Sequence, residues 1–210
     1  MLNYIILFLT ISLTGCKEIN SDTKKNTIAV DSTENEYSKT LKQREQASSE
    51  KQNDNIGNLI STISFEVKTD NIKDFKNGFI PYANLEKPEQ DLSRLVDKNE
   101  TVIKDTAIEI IIDYPLTNAY KFDLFSEKGF TRAHLLKEIS RHYFILYDEE
   151  EKTATIKTIP IDKRTKMYNR NETNGKYGVW GHDIADLVLT EIQVYRTASG
   201  QLVLTLEIES

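Results

Sequence analysis

One cysteine, Cys16, stands among the 210 residues. A lone thiol excludes an intramolecular disulfide and a cysteine-rich zinc site, so an apolar core has to hold the fold. Long apolar runs are also missing. Ile5 to Leu13 is mostly apolar but has 9 residues, against the roughly 20 that a membrane-spanning helix needs. Positive charge is outnumbered too: 27 basic side chains face 33 acidic ones, for a net charge of −6. A nucleic-acid binder would need a concentrated basic face, so that class is set aside. Among catalytic signatures, the Gly-x-Ser-x-Gly elbow, the phosphate-cradling Gly-x-x-x-x-Gly-Lys-Ser/Thr loop and His-Glu-x-x-His are absent. No internal repeat is visible.

The first sixteen residues carry the most specific information. Ile5–Leu13 is too short to anchor a protein permanently and reads as the apolar segment of an export signal. It runs into Leu13-Thr14-Gly15-Cys16, which resembles the lipobox of bacterial lipoproteins. That resemblance implies removal of residues 1–15 and acylation of Cys16, leaving the chain lipid-anchored in the bacterial cell envelope, on the outer membrane facing the periplasm. Each buried acyl methylene contributes about 0.8 kcal/mol, and stable anchoring takes more than one chain. The family's lipid, with more than one acyl chain, meets that requirement.

Lys17 to Asn58 contains no Trp, Phe or Pro, and 7 basic side chains against 8 acidic ones. Such a segment buries too little apolar surface to offset the entropy of ordering it. Residues 16–58 are therefore expected to form a lipidated N-terminus and flexible tether, with an r.m.s. span of roughly 35 Å. The alternative is a helix over Glu34–Glu50, where Lys, Gln, Glu and Ala favour helix but no sustained apolar stripe appears.

Residues 59–210 read as a single α+β domain, a mostly antiparallel sheet of about five to six strands with one main helix on one face. Ile63, Phe65 and Val67 alternate with polar neighbours as a first strand, and Pro88 precedes a short helix around Leu92, Leu95 and Val96. Ile108, Ile110, Ile112 and Tyr114 predict a strand that stops before Pro115 and forms a hairpin with Tyr120–Leu124. The main helix is predicted from an N-cap at Thr131 to about Asp148, with Leu135, Leu136, Ile139, His142, Tyr143, Leu146 and Tyr147 on one stripe. His142 is expected to be a hydrogen-bonded core histidine and His134 to lie on the polar face. Asp148-Glu149-Glu150-Glu151 is expected to be a frayed, solvated end, since the helix dipole disfavours acid there. Ala154–Ile159 predicts another strand, and Leu187–Arg196 with Gln201–Ile208 a terminal hairpin, one side of it wet.

Pro160–Asp186 remains, and connections this long in compact domains tend to be functional or disordered. Lys163, Arg164, Lys166, Arg170 and Lys176 oppose only Asp162 and Glu172 over residues 162–176, a local excess of +3. They form either a docking face for an acidic partner or a solvated loop. Tyr177 and Trp180 need somewhere to pack. His182, Asp183 and Asp186 form the one cluster of imidazole and carboxylates, able in principle to serve as acid, base or metal ligands; the alternative is a glycine-bounded turn in which Trp180 plugs the core and Asp183 caps a helical turn. Two functions follow. The first is a tethered binding module using Arg164, Arg170, Tyr177 and Trp180, its partner another envelope protein or a toxin. The second is a small hydrolase or metal-dependent enzyme using His182, Asp183 and Asp186. No cofactor is implied.

Overall fold

The computed structural model describes residues 32–50, 55–164 and 172–210; Cys16 and Arg170 lie outside them. In chain order the elements are α1 (Ser32–Ser49), β1 (Asn58–Ser64), β2 (Val67–Lys68), β3 (Phe79–Ile80), β4 (Ala83–Asn84), α2 (Pro88–Leu92), β5 (Thr101–Ile103), β6 (Ala107–Ile112), β7 (Tyr120–Phe125), β8 (Phe130–Thr131), α3 (Arg132–Thr153), β9 (Val188–Arg196) and β10 (Leu202–Glu209). The main sheet runs β1-β9-β10-β6-β7, with β4 also pairing β9. All of its pairings are antiparallel except β10 with β6, which are parallel. The fold is α+β, as the sequence predicts.

Alternation decides which side chains reach the core. Ile108, Ile110 and Ile112 of β6, Leu202, Leu204 and Leu206 of β10, and Ile192 and Val194 of β9 share one sheet face and are buried. Against it lies α3, presenting Leu135, Leu136, Ile139, Tyr143 and Leu146 at helical spacing. Burying each such side chain contributes about 1.5–3 kcal/mol. The helix starts where the sequence places it, the Thr131 hydroxyl accepting from the His134 N–H at 3.2 Å. The Ser140 hydroxyl adds a buried bond to the Leu85 carbonyl at 2.6 Å, tying the strand-poor segment after β4 to α3.

Four expectations need correction. Residues 32–49 form a helix where a coil tether is predicted. Five residues beyond Asp148 remain helical, because the acidic end of α3 finds partners. Residues 154–159 form no strand; Asn174 Oδ1 instead accepts from the backbone N–H groups of Thr155 and Ile156, at 3.0 and 2.8 Å, and holds that stretch away from the sheet. The second face of the sheet is not uniformly wet either. Ile111, Tyr195, Val203 and Thr205 in its middle are buried, whereas the end carrying Glu191, Glu207 and Glu209 and the outward side chains of β7 are exposed.

His142 is the core histidine that the stripe predicts. Its ring stacks on Phe122 at 3.5 Å and 8°. Because Arg141 Nη2 donates to its Nε2 at 2.9 Å, its Nδ1 carries the proton and donates to the Tyr120 hydroxyl at 2.7 Å. Burial, with help from the Arg141 charge, pushes the imidazole down from 6.5 to about 4. His134 is half-buried, its ring stacked on Phe130 rather than pointing into solvent.

Between pH 6.5 and about 4 the unfolded chain takes up a proton at residue 142 that the folded chain refuses. Stability is therefore full above pH 6.5 and is lost as the pH falls through this window. Urea unfolding should show a loss of roughly 2 kcal/mol from this group between pH 7.5 and 5, and His142→Gln should abolish that part of the slope.

Candidate functional site

A buried carboxylate organises the long connection after α3. Glu150 accepts from the Thr173 hydroxyl at 2.6 Å and from the backbone N–H groups of Gly175, Tyr177 and Gly178 at 2.7, 2.7 and 3.1 Å. Burial alone would push this carboxyl up. The four donors outweigh that, led by the Thr173 hydroxyl, and hold it below the usual carboxylate range. Gly175 is required by closeness: a Cβ there would lie 2.8 Å from Glu150 Cδ and 2.7 Å from Thr153 Oγ1. Beside it Glu149 accepts from the Tyr177 hydroxyl and from Lys176 Nζ at 3.0 Å, and these partners hold its carboxyl low. The run of acid at the end of α3 is thus neither frayed nor wholly solvated.

Clamped this way, the connection lies against the segment between β6 and β7. The Trp180 N–H donates to the Pro115 carbonyl at 3.1 Å, and the N–H groups of Thr117 and Asn118 donate to the Tyr177 carbonyl at 3.0 and 2.9 Å. Two tyrosines one turn apart on α3 fix both strips. Tyr143 donates to the Tyr114 carbonyl and Tyr147 to the His182 carbonyl, each at 2.8 Å. The outcome is a shared platform in which Trp180 meets Tyr114 edge-on at 5.2 Å and 78°.

Helix α1 sits on this platform. Leu41 lies over Gly181, so closely that a Cβ on that glycine would meet Leu41 Cδ1 at 2.5 Å. Arg44 places its guanidinium 5.9 Å from the Trp180 ring centroid and reaches Glu172 at 3.0 Å. Glu45 accepts from His182 Nε2 at 2.6 Å and from the Tyr114 hydroxyl at 2.9 Å. The Tyr114 oxygen also lies 2.9 Å from Ser210 Oγ. Burial and the Glu45 charge push the Tyr114 hydroxyl above its usual range, so it stays protonated as a donor. Beside this cluster opens a groove of about 710 Å3 lined by Glu45, Tyr114, His182, Glu209 and Ser210.

The residues singled out in the sequence fall into different places. Trp180 and Tyr177 are buried, Trp180 as the plug of the turn. Arg164 is also largely buried and pairs in a fork with Asp183, Nη2 lying 2.8 Å from Oδ1. Asp186 accepts from the Asp183 N–H at 3.0 Å, at the start of a helical turn over Ile184–Asp186. His182, Asp183 and Asp186 therefore engage different partners: Glu45 with Tyr114, Arg164, and the turn's own backbone. Among the described residues no group of three His, Cys, Asp or Glu could hold a metal ion. Sequence reasoning missed Leu41, Arg44, Glu45, Tyr114 and Glu150. Only the spacing of Tyr37, Leu41, Arg44, Glu45 and Ser48, half-buried on one side of α1, was there to be found.

No family model, curated protein or solved structure matches the chain.

Replacing Glu150 by Gln puts an NH2 group among four donors. Glu150→Gln should cost about 2–3 kcal/mol in chemical unfolding. Amide exchange should quicken first at Gly175, Tyr177 and Gly178, before the sheet is affected.

Proposed function

We propose that this chain is a membrane-anchored binding module of the bacterial cell envelope, lipidated at Cys16, whose recognition surface is the Tyr114–Trp180–His182 platform. Its partner is another envelope protein or a toxin against which it gives immunity. Anchoring is supported by the Leu13-Thr14-Gly15-Cys16 sequence. The observation that carries the binding reading is the way α1 is seated. Leu41, Arg44 and Glu45, at i, i+3 and i+4, engage a glycine recess, an aromatic face with a carboxylate, and a His–Tyr pair. A surface that receives a helix of this chemistry from its own chain is suited to receive one from a partner by the same helix-in-groove geometry. In this reading α1 is a competitor in cis, and a partner has to displace it.

The rigidity of the platform fits that role. Binding loops work best when a scaffold holds them in shape, because less ordering entropy is lost on association. Here Glu150, Tyr143 and Tyr147 supply the scaffold. The hydrolase reading needs His182, Asp183 and Asp186 on one cavity, and their separate partners leave it without support. Arg164, through its fork with Asp183, shapes the platform from beneath, and Trp180 supplies the ring face that Arg44 covers.

Leu41→Asp removes the aliphatic contact over Gly181 and lowers helix propensity within α1, both of which favour release of the helix. Affinity capture from detergent-solubilised envelope should retain about tenfold more partner on this variant than on the native chain, as expected when an internal competitor is removed. Cys16→Ser should abolish fatty-acid labelling and move the protein from the membrane to the soluble fraction.

A further inference from the structure

Strand β7 forms one edge of the main sheet, and among the described residues nothing pairs with its outer side. The other edge, β1, carries a bulge between Leu59 and Ser61, one of the devices that blunt strand addition. Strand β7 has no bulge, and its charges are one lysine and one aspartate, of opposite sign. Its ladder with β6 runs through six unbroken pairs, from Ala107 opposite Phe125 to Ile112 opposite Tyr120. There is no proline in it, and Lys121, Asp123 and Phe125 on its outer face are exposed, Phe125 at 77%.

The direction of its free backbone groups follows from one bond. The Ser126 N–H donates to the Thr106 carbonyl at 2.9 Å, continuing the β6–β7 ladder. Hydrogen-bonding positions alternate along an antiparallel pair. Tyr120, Phe122 and Leu124 therefore turn their backbone groups toward β6, and Lys121, Asp123 and Phe125 turn theirs outward. Any strand added to this edge must bond through residues 121, 123 and 125.

The sequence at these positions is self-complementary. When a second copy of β7 is laid antiparallel with the two-fold axis at Phe122, Lys121 of each copy stands opposite Asp123 of the other. Both members of each pair are outward-bonding positions, so the register satisfies backbone and charge together. Sliding the copies by two residues keeps the backbone bonds but sets lysine against lysine or aspartate against aspartate. The row across the sheet gives a second, independent reason. Within one chain Asp123 lies directly opposite Glu109 of β6, a like-charge pair that is unfavourable on a sheet face. In the paired form Lys121 of the second copy flanks Asp123 on its open side. At the axis the two Phe122 side chains meet on the core face, each already stacked on its own His142.

We propose that the outer edge of β7 is a self-association surface, through which two copies of this chain pair antiparallel about Phe122 to form one continuous sheet. The partner it fits is a second copy, selected over other strands by the Lys121–Asp123 palindrome. This inference is independent of the platform at Trp180 and of the lipid.

The test is sedimentation of the full chain in density-matched detergent, at concentrations from roughly 1 to 200 μM, for the native protein, Lys121→Asp, Asp123→Lys and the double exchange. The native chain should associate as a dimer. Each single reversal sets two like charges opposite each other in the pair and should weaken association about tenfold or more, and the double exchange, which restores the palindrome in reverse, should recover it to within about threefold. Thermal melts that coincide with the native one show that these exposed substitutions leave the fold intact. A native chain that is monomeric throughout, single reversals without effect, or a double exchange that fails to recover would each overturn the proposal.

Discussion

Glu150 is the constraint on which the rest depends. A carboxylate at the acidic end of α3 is unfavourable by helix electrostatics and costly to bury. It persists because one hydroxyl and three backbone N–H groups converge on it. Those N–H groups belong to an irregular segment that has no strand or helix of its own in which to satisfy them. Each side thus removes the other's defect. From that exchange follow the position of Tyr177, the approach of residues 177–180 to Pro115 and Thr117, and the platform that carries Trp180 and His182.

The docking of α1 obeys a different physics from the packing of α3. Helix α3 is held by apolar area and would be found by any measure of amphipathicity. In α1 one aliphatic contact at Leu41 is joined by charge-assisted bonds from Arg44 and Glu45 and a cation over an indole face. The Arg44–Glu172 pair is half-exposed, and such pairs are worth little singly, so a helix held by one aliphatic contact and a few polar ones remains exchangeable in a way that a core helix is not.

This difference explains what could be read from the residues alone. The β6–β7 hairpin, α3 with its cap at Thr131 and the terminal hairpin were legible because period-2 and period-3.6 patterns are local. The role of His142 was legible for the same reason. The clamp at Glu150 was not, since its donors lie 23 to 28 residues away and nothing in Asp148–Glu151 announces them. Helix α1 was misread because its inward stripe is mixed polar and apolar, and the strand predicted at residues 154–159 was lost to Asn174, a partner 18 to 19 residues distant. Trp180 as a plug was legible; that an arginine and a glutamate of the expected tether would cover it was not.

The place of β10 has a consequence for how the molecule comes into being. It is the last strand in chain order, yet it lies in the middle of the sheet, antiparallel to β9 on one side and parallel to β6 on the other. Until residues 202–209 arrive, β6–β7 and β1–β9 are two half-sheets with no shared ladder, and α3 has no complete surface to rest on. Closure at this seam joins segments far apart in sequence, so loop-closure entropy has to be met before the shared ladder can form. The main sheet is therefore continuous only once β10 has entered between its two halves.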